Sequence, residues 1–128
     1  MFQLLLIFLA GGCGCLLRYG VAGWVQRSSG GTFPFGTMTV NILGCILIGF
    51  LATLFTGPFL VREEYRLAIF IGLLGGFTTF SSFGFEAVTL LNDGQLFYAT
   101  MYVLGSNLFG LLAAWGGMRL AAAIYGAA

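Results

Sequence analysis

Four long apolar stretches constrain the fold of this chain more than any other feature. The apolar interior of a bilayer is ~30 Å thick, so about 20 apolar residues are needed to cross it as a helix. Four stretches meet this length, and they run from about Phe2 to Val25, Phe35 to Thr56, Tyr65 to Leu91 and Gln95 to Tyr125. The sequence therefore predicts an all-α integral membrane protein in which residues 1–128 form a single domain of four transmembrane helices.

Short polar breaks separate the four stretches. They are rich in the Gly, Pro, Asn, Asp and Ser residues that are typical of turns. In chain order the breaks are Gln26-Arg27-Ser28-Ser29-Gly30-Gly31, Gly57-Pro58 followed by Arg62-Glu63-Glu64, and Asn92-Asp93-Gly94. Four helices joined in this way place the second loop on the same side of the membrane as both termini.

Composition narrows the class of protein further. Of the 128 residues 59% are hydrophobic and 7% are charged, with no His, no Lys and a net charge of +1. Such a chain lacks the basic surface that nucleic acid requires and the histidines of most zinc sites and acid–base catalysts. We expect a multi-pass protein of the cell (inner or plasma) membrane that is not an enzyme and binds no nucleic acid. The odd number of cysteines in apolar stretches indicates packing residues rather than disulfides: Cys13, Cys15 and Cys45.

The arginines leave the orientation in the membrane weakly specified. Arg62, Arg66 and Arg119 fall on the side of the termini, whereas Arg27 falls on the opposite side. Positively charged loops prefer the cytoplasm. Arg62 and Arg66 could therefore fix the termini there, which is the simpler interpretation. The slight bias could also let the chain insert in both orientations and form an antiparallel homodimer.

The small size of the chain limits how it could conduct a solute. Four helices that pack on one another leave little room for an aqueous path, so a transport function would favour an oligomer whose interface forms the path. Glycines let helix backbones approach closely in a membrane. Ten of the 21 glycines have the appropriate spacing: Gly11, Gly12, Gly14, Gly44, Gly49, Gly72, Gly75, Gly76, Gly105 and Gly110.

Polar side chains within the apolar stretches are few and mostly uncharged. A Ser or Thr hydroxyl commonly bonds to the carbonyl one turn earlier, which is the favoured interpretation for each hydroxyl alone. An Asn amide needs a partner on another helix or a wet cavity, and both possibilities stay open. These residues are Thr37, Thr39 and Asn41, then Thr78, Thr79, Ser81 and Ser82, and finally Ser106 and Asn107.

Two ionisable residues also lie within or near the apolar stretches. Arg18 must reach the interface, pair with another group or face water, so it is either an interfacial anchor or a residue at the mouth of an anion path. Glu86 follows the hydroxyl-rich segment by one turn, and a lone buried carboxylate would repel an anion.

Residues 75–83, with the sequence GGFTTFSSF, are a weak point in the third stretch. Two glycines and two β-branched threonines lower helix stability. A break at membrane depth must be buried or line a cavity, where its carbonyls could hold a hard cation and its amides and hydroxyls could contact an anion.

Phe77, Phe80 and Phe83 recur every three residues and would share one face of a helix. The edge of a Phe ring is the positive pole of its quadrupole, so it offers a weak and uncharged contact to a small anion. Taken alone, such a row of Phe side chains is more often a packing surface, and both interpretations stay open.

Three motifs together resemble the Fluc (CrcB) family of small fluoride channels. They are GCLLRY at residues 14–19, GTMTVNILG at residues 36–44 and GGFTTFSSF at residues 75–83. The resemblance covers nearly the whole chain. It implies an antiparallel, dual-topology homodimer with a break in the third helix, which passively and selectively exports cytoplasmic fluoride through two pores and holds a structural Na⁺ at its centre.

The resemblance also implies roles for individual residues. The Na⁺ would be bound by the backbone carbonyls of Gly75 and Thr78, and Arg18 corresponds to the basic residue of the vestibule. The implied fluoride pathway comprises Thr37, Asn41, Phe80, Ser81, Phe83, Glu86, Tyr102 and Ser106. Some members carry hydroxyls further along the fourth helix, where Gly110 and Ala114 stand in this chain.

Two other classes of protein compete with a channel. Small four-helix multidrug exporters need an acidic residue in the first helix, and the first stretch here has none. Glu86 could replace it, but the hydroxyl and Phe motif would then have no explanation. A structural subunit without transport activity would require that all the polar side chains serve only to join helices.

Overall fold

The computed structural model describes residues 1–57 and 59–126, so that Pro58 of the predicted second break lies outside the described residues. Helices, and no strands, make up the regular structure of this part of the chain. They are α1 (Phe2–Ser29), α2 (Phe35–Thr56), α3 (Glu63–Leu67), a π-helical segment (Ala68–Leu74), α4 (Gly75–Phe77), α5 (Phe80–Asn92) and α6 (Leu96–Tyr125).

Four helical spans in the described ranges are long and apolar enough to cross a membrane. They are α1, α2, the third span Glu63–Asn92, which contains α3 to α5, and α6. This confirms the predicted four-helix membrane architecture. The outward faces are lined by large apolar side chains that suit contact with lipid, such as Phe8, Leu16, Phe109 and Leu111.

Helix α1 continues four residues beyond its predicted end near Val25. The Ser28 and Ser29 hydroxyls donate to the carbonyls of Trp24 and Val25, at 2.9 and 2.6 Å. These bonds keep the two serines in the helix, and the left-handed Gly30 (φ 64°) ends it. The polar sequence at residues 26–29 therefore belongs to the end of the helix and not to the loop.

Close backbone contacts hold the spans in two pairs, with α1 against the first half of the third span and α2 against α6. A Cβ atom at Gly14 would overlap the carbonyl of Leu73 in the third span. In the second pair, a Cβ at Gly49 would overlap the Ala114 carbonyl. The predicted role of glycine in close packing is confirmed at these two positions, whereas Gly12 has open space beside it.

The third span changes helix type before it breaks. Residues Ala68–Leu74 are π-helical, and α4 adds one short helical stretch before the chain becomes extended at Thr78. Near the loop between α5 and α6, which we call the loop end of the molecule, a core of Ala87, Leu90, Ala99 and Tyr102 joins the two helices. These elements position the break at mid-span and the Glu86 side chain beside α6.

Candidate functional site

The break in the third span consists of Thr78 and Thr79. Both residues have extended backbone, with φ and ψ of −95° and 162° at Thr78 and of −153° and 120° at Thr79. Gly75 remains helical, with φ −63° and ψ −37°. The opening is therefore shorter than the predicted segment from Gly75 to Thr78 and starts three residues later.

Asn41 of α2 binds both the N–H and the carbonyl of one residue of the break, Thr79. Its Nδ2 donates to the Thr79 carbonyl at 2.9 Å, and the Thr79 N–H donates to its Oδ1 at 2.8 Å. A side-chain amide thus satisfies the two backbone groups of Thr79, as a neighbouring strand would. Of the two possibilities left open for this residue, joining of helices is observed directly.

Thr79 also begins helix α5. Its Oγ1 accepts from the Ser82 N–H at 3.2 Å and lies 3.0 Å from the Ser82 hydroxyl, which is the geometry of a helix N-cap. The Ser81 hydroxyl is exposed and lies 3.3 Å from the same oxygen. Thr79 was named among the polar residues but not predicted as a site residue, although a Thr that follows two glycines and precedes Ser82 by three residues fits a cap.

Carbonyls at and before the break lose their helical donors, and those of Gly75 and Thr78 are among them. In a continuous helix the Thr79 N–H would bond to the Gly75 carbonyl and the Ser82 N–H to the Thr78 carbonyl. Here these two N–H groups donate to Asn41 and to the Thr79 hydroxyl instead. The Gly75 and Thr78 oxygens are therefore left available to other partners. The Thr78 hydroxyl itself bonds to the Leu74 carbonyl at 2.9 Å.

Glu86 lies between α2 and α6 and accepts a hydrogen bond from each. The buried Thr37 hydroxyl donates to Oε1 at 2.7 Å, and the fully buried Tyr102 hydroxyl donates to Oε2 at 2.6 Å. The structure thus joins three of the predicted site residues in one cluster. Thr37 and Asn41, one turn apart on α2, both face α5, as their spacing predicts.

The three phenylalanines of the motif do not share one face. Phe77 ends α4 and is buried, whereas Phe80 and Phe83 begin α5 on the other side of the break. The ring centroids of Phe80 and Phe83 are 5.5 Å apart, and the Phe83 ring lies 5.1 Å from that of Tyr102. Phe80 is 82% exposed on the surface of this chain.

A groove of about 380 Å³ lies beside the break. The predicted residues Asn41, Gly75, Thr78, Phe80, Phe83 and Ser106 all line it. The Ser106 hydroxyl oxygen is buried and has no hydrogen-bond partner in the described part of the chain. We call this feature the break groove.

Two further cavities lie near the break groove. The first, of about 350 Å³, contains Arg18 together with Thr37, Thr79 and Ser82. The Arg18 guanidinium lies 3.9 Å from the Cys15 sulfur. The second, of about 420 Å³, extends from Glu86 towards Asp93 and Gln95 at the loop end. Thr79 lines both the break groove and the Arg18 cavity, so the break forms the wall between them.

Gln26 is a structural residue that the sequence did not identify. Its Nε2 donates to the carbonyls of Gly31 and Phe33, both at 3.0 Å, and its Oε1 accepts from the Gly36 N–H at 3.1 Å. One side chain thus fixes the loop between α1 and α2 and bonds the first turn of α2. A single amide between an apolar stretch and a glycine-rich loop is the signal that could have identified it.

This arrangement defines a class of protein. A transmembrane helix that breaks where its backbone lines cavities is typical of membrane channels and transporters. The cavities contain Asn, Thr and Ser side chains, and no group of three or more potential metal-ligating side chains occurs in residues 1–57 and 59–126.

Comparison with known proteins identifies the family. The family model described as CrcB-like protein, Camphor Resistance (CrcB), matches residues 5–118. The chain belongs to this family, as the resemblance predicted, and is a multi-pass protein of the cell membrane.

Several relatives carry the name "Fluoride-specific ion channel FluC". The protein from Chlorobium phaeobacteroides is 48% identical over 118 residues, which are 92% of this chain and 91% of the relative. The protein from Thermus thermophilus is 47% identical over 122 residues, 95% of both chains. That from Geobacter metallireducens is 43% identical over 121 residues, 94% of this chain and 98% of the relative.

Proposed function

We propose that this chain forms a passive, highly selective channel that exports cytoplasmic fluoride. The channel is an antiparallel, dual-topology homodimer with two pores and a structural Na⁺ at its centre. The observation that carries this proposal is the break groove, which Asn41, Ser106 and Phe80 line at the middle of the third span. The names of the relatives supply the identity of the ion.

The chemistry of the groove suits a small and strongly hydrated anion. Fluoride gives up its water only if the path replaces that water with many donors. Asn41 and Ser106 supply neutral donors, and the Phe80 and Phe83 rings can supply weak edge contacts. Neutral contacts hold an anion without trapping it, so the ion can leave as well as enter.

The exposed position of Phe80 supports an assembly of two chains. A ring that is 82% exposed at the edge of a groove cannot enclose an ion path by itself. A second copy packed over the break groove would cover the opening and place Phe80 inside the assembly. Two symmetry-related copies would create two such paths.

Two backbone carbonyls without helical donors support the proposed Na⁺ site. Na⁺ is a hard cation, and oxygen atoms are the ligands that such cations prefer. The Gly75 and Thr78 carbonyls have lost the donors of a continuous helix. Contributed by two chains, they would supply four oxygens at the centre of the dimer.

Export would follow from the membrane potential alone. A cell interior that is negative by 100 mV favours the exit of a monovalent anion by about 2.3 kcal/mol. No coupled proton or cation is then needed, and Glu86 would act as a hydrogen-bonded wall residue that also contacts Thr37 and Tyr102.

Reconstitution into liposomes tests the proposal. Purified protein is placed in vesicles loaded with potassium fluoride or potassium chloride, and anion efflux is recorded when valinomycin is added without a proton gradient. We expect rapid fluoride efflux and no chloride efflux above that of protein-free vesicles. Equal efflux of both anions would contradict the selectivity, and absence of fluoride efflux would contradict the channel.

A further inference from the structure

Cys45 of α2 lies in the break groove, although none of the roles described above involves it. Its side chain lines the groove together with Asn41 and Ser106, and it is partly buried. Asn41 and Cys45 are one turn apart on α2, so they project from the same face of the helix. The thiol therefore continues the row of polar side chains that begins at Asn41.

Gly110 of α6 packs against the Cys45 sulfur at the side of the groove. A Cβ atom built at Gly110 would lie 3.5 Å from Sγ, which is an ordinary van der Waals contact. Gly110 follows Ser106 by one turn, so α6 presents a hydroxyl at one level and no side chain at the next. The sulfur of Cys45 occupies the level at which α6 contributes nothing.

The Ser106 hydroxyl gives this wall of the groove an unpaired polar group to which a polar guest could bond. Its oxygen is buried and has no hydrogen-bond partner among the described residues. A buried hydroxyl without a partner is unfavourable unless water or a ligand reaches it. Ser106 and Cys45 line the same groove, so a guest that bonds to the hydroxyl can also contact the thiol.

We propose that the Cys45 thiol is a donor in the fluoride path, placed on α2 at the level where Gly110 leaves α6 without a side chain. This inference rests on the proposed function. A thiol is a weak and uncharged S–H donor at neutral pH. It would contact a partly dehydrated anion after Ser106 and would release it readily, because the contact is weak.

Substitutions at two positions test the proposal in the liposome assay. Cys45→Ala removes the donor, and we expect it to lower fluoride efflux about five- to tenfold, the effect of one lost hydrogen bond at the barrier. Cys45→Ser keeps a donor of similar shape and is expected to conduct well above Cys45→Ala. Cys13→Ser, on the exposed face of α1, is the control that should conduct like the unaltered protein.

A second-site substitution gives the sharper test. Gly110→Ser in the Cys45→Ala background returns a donor to the same level from the opposite helix, because a Cβ at Gly110 meets only the Cys45 sulfur within 4 Å, at an ordinary contact distance. We expect it to restore at least half of the lost efflux. Gly110→Ala in the same background fills the space without a donor and should restore nothing.

A thiol reagent gives a readout that packing alone would not affect. Methyl methanethiosulfonate transfers its methylthio group to the Cys45 sulfur, forms an S–S bond and releases methanesulfinate. Cys15 lines the Arg18 cavity, so the reagent is applied to Cys15→Ser variants. We expect it to reduce efflux through Cys15→Ser and to leave Cys15→Ser with Cys45→Ser unaffected, although Cys13 is still present there. If the unaltered protein shows no fluoride efflux, the proposed function is wrong. If it conducts but neither Cys45→Ala nor the reagent changes efflux, the assignment of Cys45 is wrong.

Discussion

The Asn41 side chain supplies hydrogen-bond partners to the backbone groups of Thr79 at the break in the third span. Its amide binds the N–H and the carbonyl of Thr79, at 2.8 and 2.9 Å, within a segment that crosses the apolar part of the membrane. Unpaired backbone groups are costly there because no water replaces the lost partner. Asn41 is therefore a structural residue as well as a residue of the proposed pathway.

This role predicts a large effect of Asn41→Ala on stability. The substitution leaves two backbone groups of Thr79 without partners, and each orphan costs about 1–3 kcal/mol. We expect the free energy of unfolding in detergent to fall by about 2–4 kcal/mol. Asn107→Ala is the matched control, because that amide bonds only to the carbonyl of Val103 in its own exposed helix surface. Equal stabilities of the two variants would contradict the structural role of the Asn41 hydrogen bonds to Thr79.

Phe80 allows the opposite combination, a loss of conduction with no loss of stability. Its ring is 82% exposed on the single chain, so Phe80→Ile should change the free energy of unfolding of the monomeric chain in detergent by no more than about 0.5 kcal/mol. An aliphatic side chain offers no positive ring edge, and we expect fluoride efflux to fall by at least about tenfold. Phe97→Ile, 70% exposed on α6, controls for the loss of a surface ring. Unchanged efflux through Phe80→Ile would remove this ring from the mechanism.

At the scale of helices, the number and type of the spans follow directly from the sequence, because the thickness of the bilayer sets their length. The position of the break does not. The glycines suggested an opening from Gly75, but Gly75 stays helical and the backbone opens at Thr78. The decisive contact comes from Asn41, 38 residues away, and no local pattern contains it.

The sequence also does not fully predict where the helices end or which type of helix each segment forms. Ser28 and Ser29 read as loop residues but bond back into α1. The π-helical segment Ala68–Leu74, which packs against α1, has an ordinary apolar sequence that does not predict its helix type. The residues of the candidate site were predicted from a motif, whereas the Glu86 cluster with Thr37 and Tyr102 required the fold.

Helix packing makes a prediction at two adjacent residues of α6. A Cβ at Gly117 would overlap the carbonyl of Ile46 in α2, while one at Gly116 would meet nothing within 4 Å. Gly117→Ala should therefore lower the free energy of unfolding by about 1–3 kcal/mol through overpacking. Gly116→Ala should leave it unchanged or raise it by up to about 1 kcal/mol, because Ala is the better helix former. Thermal unfolding in detergent measures both, and equal melting temperatures would contradict the close approach of α2 and α6.

The whole molecule presents an open groove on one side and a weak charge bias between its two ends. Phe80 and Gly75 are both exposed on a single chain, so the proposed path and the proposed cation site both need a second copy. An antiparallel copy can be made only if the same chain inserts in both orientations. Arg62, Arg66 and Arg119 at one end and Arg27 at the other leave this choice weakly determined.

Added charges should therefore separate the two orientations and abolish conduction. The double variant Ser29→Arg with Asn92→Arg adds positive charge to the end of the molecule opposite the termini. The double variant Leu60→Arg with Glu63→Arg adds positive charge to the end that contains the termini. All four positions are exposed. Each double variant expressed alone is expected to insert one way up, to lack antiparallel partners and to lose at least about tenfold in fluoride efflux. Expressed together, the two should pair and regain efflux, since each supplies the orientation that the other lacks. Ser29→Gln with Asn92→Gln is the uncharged control and should conduct alone. Impermeant labelling maps the side on which the termini of each charged variant lie. If a variant with all its termini on one side shows full efflux alone, a parallel or single-chain form conducts. That result would rule out the antiparallel dimer.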